Sequence, residues 1–99
     1  ENVYEAVLIY ELKKRNLKVE RQIPFPLVYE SVSLGIGYRV DLCVENKVLI
    51  EIKSVENLLE VHHKQLLTYL KLSNMKLGIL VNFNTDDIAK SIFRKVNNL

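Results

Sequence analysis

Asp41 stands in the run Tyr38-Arg39-Val40-Asp41-Leu42-Cys43-Val44, and Glu51 and Lys53 stand in Val48-Leu49-Ile50-Glu51-Ile52-Lys53. An acid thus sits on one alternating apolar segment, and an acid and a base two residues apart on the next. Strand side chains alternate between faces. Val40, Leu42 and Val44 are therefore expected on one face, with Arg39, Asp41 and Cys43 opposite. Likewise Val48, Ile50 and Ile52 share one face, and Leu49, Glu51 and Lys53 the other. Glu45-Asn46-Lys47 reads as the turn of a hairpin between them. Pairing the two segments puts Asp41 and Glu51 on one face near one end of a sheet, with Lys53 a two-residue step, roughly 7 Å, beyond. Two carboxylates brought together repel unless a cation or a proton resolves the conflict. A hard divalent ion resolves it with oxygen ligands, keeps several waters and bridges to phosphate. A neighbouring ammonium can orient water or neutralise charge building on the phosphate. Such a set suits hydrolysis of phosphodiesters. The same residues also fit a solvent-facing polar stripe, whose contacts are worth roughly a few tenths of a kcal/mol.

Other elements must hold these strands. Val3, Tyr4, Val7, Leu8 and Leu12 have helical spacing, and Asn16 after Lys13, Lys14 and Arg15 fits a helix C-terminal cap. The segment from Lys18 to Gly35 alternates but is broken by Pro24 and Pro26, which predicts a strand, a proline kink at a sheet edge and a second strand. Gly35-Ile36-Gly37 predicts a turn. Helical spacing returns from Asn57, a candidate N-cap, to Ser73. Lys76 to Phe83 is a short apolar run that predicts a buried strand. The tail from Thr85 predicts an amphipathic helix, with Thr85 and Asp86 as cap candidates. A late strand, helix, strand passage implies one parallel crossover in an otherwise antiparallel sheet. The fold class expected is α/β (α+β), in the order αβββαβα, with four or five strands in a mixed central sheet flanked by helices.

Ninety-nine residues suffice for a single domain over 1–99 with a real core but not for two. Hydrophobic residues at 48% and charged residues at 26% match a soluble globular chain, and no apolar run approaches membrane-spanning length. Cys43, the one cysteine, excludes an internal disulfide and points to a reducing cytoplasm, with the thiol a small packing residue. A net charge of +2 permits a phosphate-bearing partner without demanding one. Basic residues gather at Lys13, Lys14, Arg15, Lys18 and Arg21, and at Lys90, Arg94 and Lys95. Either group could hold a nucleic-acid backbone or be a solvated face. The opening lacks both Met and a signal-peptide layout, as expected of a chain whose first few residues are missing. Glycine-rich nucleotide loops, a zinc framework and a Gly-x-Ser-x-Gly elbow are absent from the sequence.

Asp41 followed by Glu51-Ile52-Lys53 resembles the PD-(D/E)xK nuclease superfamily, whose motif sets an Asp on one strand and Glu-x-Lys on the next; Val40 stands in the place of the motif's proline. Gln65 and Tyr69, four apart and so on one helix face with His62 a turn earlier, match the Gln-x-x-x-Tyr signature of the RecB-type branch. The resemblance is closer still to the family named after a GxxExxY motif. It runs through Glu1 to Tyr4, Leu17 to Gln22, Gly37 to Leu42, Glu51 to Lys53, Val61 to Leu70 and Gly78 to Asn84. The motif's leading Gly would precede residue 1.

The resemblance implies a restriction-endonuclease-like core and a nuclease acting on nucleic acid, DNA rather than RNA, in repair, recombination or defence. It implies Mg²⁺ or Mn²⁺ held by Asp41, Glu51 and the backbone carbonyl of Ile52. Lys53 would position or activate the attacking water. The superfamily often adds an acid from the first helix, for which Glu5 is the candidate and Glu1 its rival; Glu5 also fits a plain solvated helix residue. Gln65, Tyr69 and His62 would lie on the substrate side. Arg39 would hold a phosphate or pair with Glu51. A bare core of this size leaves room for a homodimer or a larger complex. The alternative is a catalytically inactive nuclease fold that binds nucleic acid or a protein partner.

Overall fold

The computed structural model describes residues 2–29 and 32–98, with side chains for 3–24 and 39–98. Helix α1 (Asn2–Lys14) leads into an antiparallel run of β1 (Val19–Tyr29), β2 (Val32–Val44) and β3 (Val48–Lys53). Helix α2 (Glu60–Ser73) then crosses to β4 (Leu77–Asn82), and a single 3₁₀ turn (Ile88–Ser91) precedes β5 (Ile92–Val96). The strands lie in sequence order in one five-stranded sheet, with β3 and β4 parallel and every other neighbouring pair antiparallel. The expected mixed α+β class, with its one parallel crossover, is the architecture found. No helix among the described residues is long and apolar enough to cross a membrane.

Each face of the sheet carries one helix. Leu66 and Leu70 of α2 pack with Val40, Cys43, Leu49 and Leu80 on one face. Leu8, Ile9 and Leu12 of α1 cover Leu42, Val44, Ile50, Ile52 and Val81 on the other. Gly78 lets α2 lie close to β4. A Cβ there would meet Leu66 Cδ1 at 3.0 Å and Leu70 Cδ1 at 3.1 Å. Asn16 caps α1 as expected, in the left-handed region at φ 63°. Its amide donates to the Lys13 carbonyl at 2.9 Å, and the Leu17 amide to Leu12 at 3.2 Å.

Four local expectations are corrected. The tail forms a 3₁₀ turn and a strand, not an amphipathic helix. Residues 92–96 pair with β4 from Leu77↔Val96 to Val81↔Ile92, and Thr85 Oγ1 accepts the Asp87 amide instead of capping a helix. Gly35-Ile36-Gly37 lies inside β2 and is not a turn, while β1 continues through both prolines. Register shifts on either side of Pro26 accommodate its missing amide hydrogen, as an edge strand permits. Helix α2 begins at Glu60 with Leu59 as its N-cap, two residues after the candidate cap Asn57.

The fourth correction concerns side-chain alternation and bears directly on the acids. Val40 was expected beside Leu42 and Val44, yet it packs with Cys43 and Leu49 on the α2 face. On β1, Ile23 joins that same cluster while Val19 lies on the α1 side. Both strands therefore change faces between these residues, at the opposed positions Gln22 and Asp41. Gln22 has φ 50°, a left-handed conformation inside a strand. For a non-glycine residue that costs on the order of 1–3 kcal/mol, and it persists only where the surroundings hold it.

Candidate active site

Pairing of β2 with β3 runs from Val44↔Val48 to Leu42↔Ile50, set by the turn residues Glu45 and Asn46 at φ 55° and 54°. One step further along the same register, Asp41 meets Glu51, and side chains take over from the backbone ladder. The Asp41 amide donates to Glu51 Oε1 at 3.0 Å, and the Ile52 amide donates to Asp41 Oδ2 at 2.7 Å. The two acids are tied together by each other's strand. Glu51 is only 6% exposed, so its carboxylate is held in a dry setting where charge interacts strongly.

Glu5 reaches the same place from α1. It is 4% exposed, so it is not a solvated helix residue. Arg21 Nη2 donates to its Oε2 at 2.9 Å and Gln22 Nε2 to its Oε1 at 2.8 Å. Gln22 also approaches Asp41 Oδ1 at 3.5 Å, a long contact. Glu1, the rival helix acid, lies outside the described residues.

Burial pushes the Asp41 carboxyl above its ordinary range, and the Glu5 charge pushes it the same way. The Ile52 amide, Gln22 and the Lys53 ammonium pull back without cancelling that rise. Lys53 ends β3, half-buried and within electrostatic reach of Asp41. Opposite it in the parallel register is buried Asn82. Asn82 accepts the Val55 amide at 3.0 Å and donates to the Val55 carbonyl at 2.8 Å, which fixes the chain as it leaves Lys53.

From α2, Tyr69 faces the acids. Burial raises its phenol, the charges of Glu51 and Asp41 raise it further, and a hydrogen bond with Gln65 opposes them. Gln65 is exposed beside it. His62 lies on the same helix face, but its Nδ1 accepts the Leu59 amide at 2.9 Å and so closes the helix start. Arg39 is exposed. Asp41, Glu51, Lys53, Glu5, Gln65 and Tyr69 are thus brought to one region, at the point where β2 and β3 part. In the sequence Arg21 reads as part of a basic run, and nothing in the alternation marks out Gln22 as a partner of the acids. Their signal was the polar triplet Glu20-Arg21-Gln22, which breaks the alternation of β1.

Carboxylates held above their usual range store electrostatic cost in the native state. Because Asp41 binds its proton more tightly folded than unfolded, its contribution falls as pH rises from the ordinary carboxylate value through the raised one. Above that window the cost is complete. Asp41→Asn should therefore melt at a higher temperature than the parent at pH 7 in metal-free buffer, with the difference shrinking as pH drops into the acid range. Thermal melts across pH 3–7 read this directly; an Asp41→Asn protein less stable than the parent at pH 7 would show that Glu5 and burial do not burden Asp41.

A five-stranded mixed sheet with helices on both faces, whose acids converge at the parting of two central strands, defines a restriction-endonuclease-like α+β fold. The family model of the PD-(D/E)XK nuclease superfamily matches residues 1–96, and the chain belongs to that superfamily. Among solved structures it is similar to the crystal structure of SSO0001, with 28% sequence identity and a TM-score of 0.72 over 99% of this chain. The match spans 50% of the SSO0001 chain. No curated protein matches the sequence.

Superfamily nucleases typically use divalent metals, and the donor set here suits a hard cation. Two carboxylates are interlocked, and one of them is held above its usual range by burial and a third acid. Among the described residues no three His, Cys, Asp or Glu groups form a ready-made cage.

Proposed function

We propose that this chain is a Mg²⁺- or Mn²⁺-dependent nuclease that hydrolyses phosphodiester bonds in DNA. The observation that carries the reading is the reciprocal pair of hydrogen bonds between the Asp41 and Glu51 segments, which sets two acids side by side with Lys53 one strand step away. Asp41, Glu51 and the Ile52 carbonyl would hold the ion, with Glu5 as the additional acid. Bound there, it supplies positive charge to phosphoryl oxygens and acidifies water.

The protein's own groups do the rest. Lys53 orients the attacking water and offsets negative charge as it grows on the phosphate. Tyr69 and Gln65 shape the substrate side, with the exposed Arg39 and the His62 Nε2 positioned to meet the nucleic-acid backbone. In the basic run at the end of α1, Arg15 is paired with Glu11, Lys18 with Glu20 and Arg21 with Glu5; Lys13 and Lys14 are the members offered to phosphate. We place the chain in the GxxExxY family of the RecB-like branch, as a single domain over 1–99 acting in the cytoplasm in repair, recombination or defence, in a homodimer or a larger complex.

A second reading, an inactive nuclease fold that binds nucleic acid or protein, is favoured by one feature. Both Glu5 oxygens are already engaged by Arg21 and Gln22. A cleavage panel separates the two. Single- and double-stranded DNA and RNA are incubated with Mg²⁺ or Mn²⁺, beside Glu51→Gln. DNA cleavage that needs the ion and disappears in Glu51→Gln is expected. Equal cleavage by the variant would refute the assignment, and calorimetry showing no ion binding dependent on Asp41 and Glu51 would favour the inactive module.

A further inference from the structure

We infer that Gln22 is a positioning residue that holds the first-helix acid Glu5 against Asp41, and so completes the site from the edge strand. The inference rests on the metal-dependent reading above. Glu5 belongs to α1, and Asp41 to a strand two elements later; no backbone hydrogen bond joins them. The link is the Gln22 side chain, whose Nε2 lies 2.8 Å from Glu5 Oε1 and 3.5 Å from Asp41 Oδ1. A carboxamide nitrogen carries two hydrogens, so one group can serve two acceptors that repel each other.

Charge decides why an amide suits this place. A lysine or arginine between the acids would also bridge them, but it would cancel the negative field that draws a cation in. The neutral amide fixes the geometry and leaves the charge. Arg21 does carry charge to Glu5, yet it comes from the solvent side: its side chain is 63% exposed and its partner's only 6%. Water screens the guanidinium there.

The backbone points the same way. Two neighbours on a regular strand face opposite sides, yet Arg21 and Gln22 both reach one carboxylate. They do so because Gln22 adopts φ 50°. At that position, opposite Asp41, both β1 and β2 change faces. A glutamine in a left-handed conformation, its amide bonded to Glu5 and at long range from Asp41, marks a site whose side chain is needed, since glycine would supply the conformation alone.

That difference supplies the test. Gln22→Gly keeps the backbone and removes the amide; Gln22→Asn tolerates the left-handed conformation but is one methylene too short to span the contact. Mn²⁺ binding is measured by calorimetry on the whole chain, with thermal melts alongside to confirm folding. Both variants should bind Mn²⁺ roughly 10–100-fold more weakly than the parent, the range for losing a group that orients a ligand. Glu5→Gln should lose a similar factor, and Gln22→Gly combined with Glu5→Gln should be no weaker than Glu5→Gln alone, since the amide acts through that acid. Folded variants that bind Mn²⁺ as tightly as the parent, or losses that multiply in the double variant, would overturn the positioning role while leaving the nuclease reading intact. A parent protein whose Mn²⁺ binding does not depend on Asp41 would sink both.

Discussion

Lys53→Ala and Glu51→Gln should each lower DNA cleavage by at least about 100-fold, and Glu51→Gln by about 1000-fold or more, with the fold intact. The lower figure is typical for removing a single preorganised group that meets charge developing in the transition state. Glu51 should cost more, because it would hold the ion and also orders Asp41 through the Asp41 amide. Gln keeps an oxygen to accept that amide, so the substitution removes charge while preserving shape. Lys53 is half-buried at a strand end, and truncating it opens no core cavity. Initial rates at saturating Mn²⁺, with a thermal melt of each variant, separate chemistry from stability. A Lys53→Ala enzyme cutting at the parent rate would remove Lys53 from the mechanism; a melting temperature that collapses with the rate would make its role structural.

Leu66→Ala should be strongly destabilising, and Gly78→Ala should partly repair it. Leu66 is fully buried between α2 and the sheet. Truncating such a leucine costs about 2–5 kcal/mol, from lost transfer energy and the cavity left behind. A domain of this size has only about 5–15 kcal/mol in total. At about 4–8 °C per kcal/mol, the melting temperature should fall by roughly 10 °C or more. Gly78→Ala alone should cost about 1–3 kcal/mol, since its methyl would press Leu66 Cδ1 at 3.0 Å and Leu70 Cδ1 at 3.1 Å. Together, the new methyl enters space that Leu66 has vacated. Urea melts of the four proteins should then give a double variant more stable than the sum of the single losses, by at least about 0.5 kcal/mol. Strict additivity would mean that α2 shifts away from β4 when Gly78 gains a side chain.

The central hairpin was legible because its two apolar segments alternate cleanly around a short polar turn. The register that follows brings Asp41 to Glu51. What alternation could not show was the change of face at Gln22 and Asp41. A left-handed residue inside a strand leaves no trace in the pattern when a glutamine adopts it, so Val40 was assigned to the wrong side. The burial of Glu5 was equally hidden, because the partners that satisfy it, Arg21 and Gln22, come from another element. The tail misled for a different reason. Ile88, Ile92 and Val96 fall four apart, the spacing of a helical stripe. The edge of β4 offers five pairing positions, and residues 92–96 take them. Tertiary pairing overrode a local period.

The link Glu45-Asn46-Lys47 has a consequence for how much the chain can vary in length. Two left-handed residues shape it, and it is fastened at both ends: the Glu45 amide donates to the Lys18 carbonyl at 2.9 Å and the Lys47 amide to Val44 at 3.0 Å. Adding one residue there would slide β3 by a single position and swing Glu51 to the reverse side from Asp41. The exposed stretch from Asn84 to Asp87, by contrast, lies beyond the last pairing of β4 and fixes no acid. A peptide tag or a grafted loop belongs there, whereas in the short link between the acids length itself sets which face Glu51 presents.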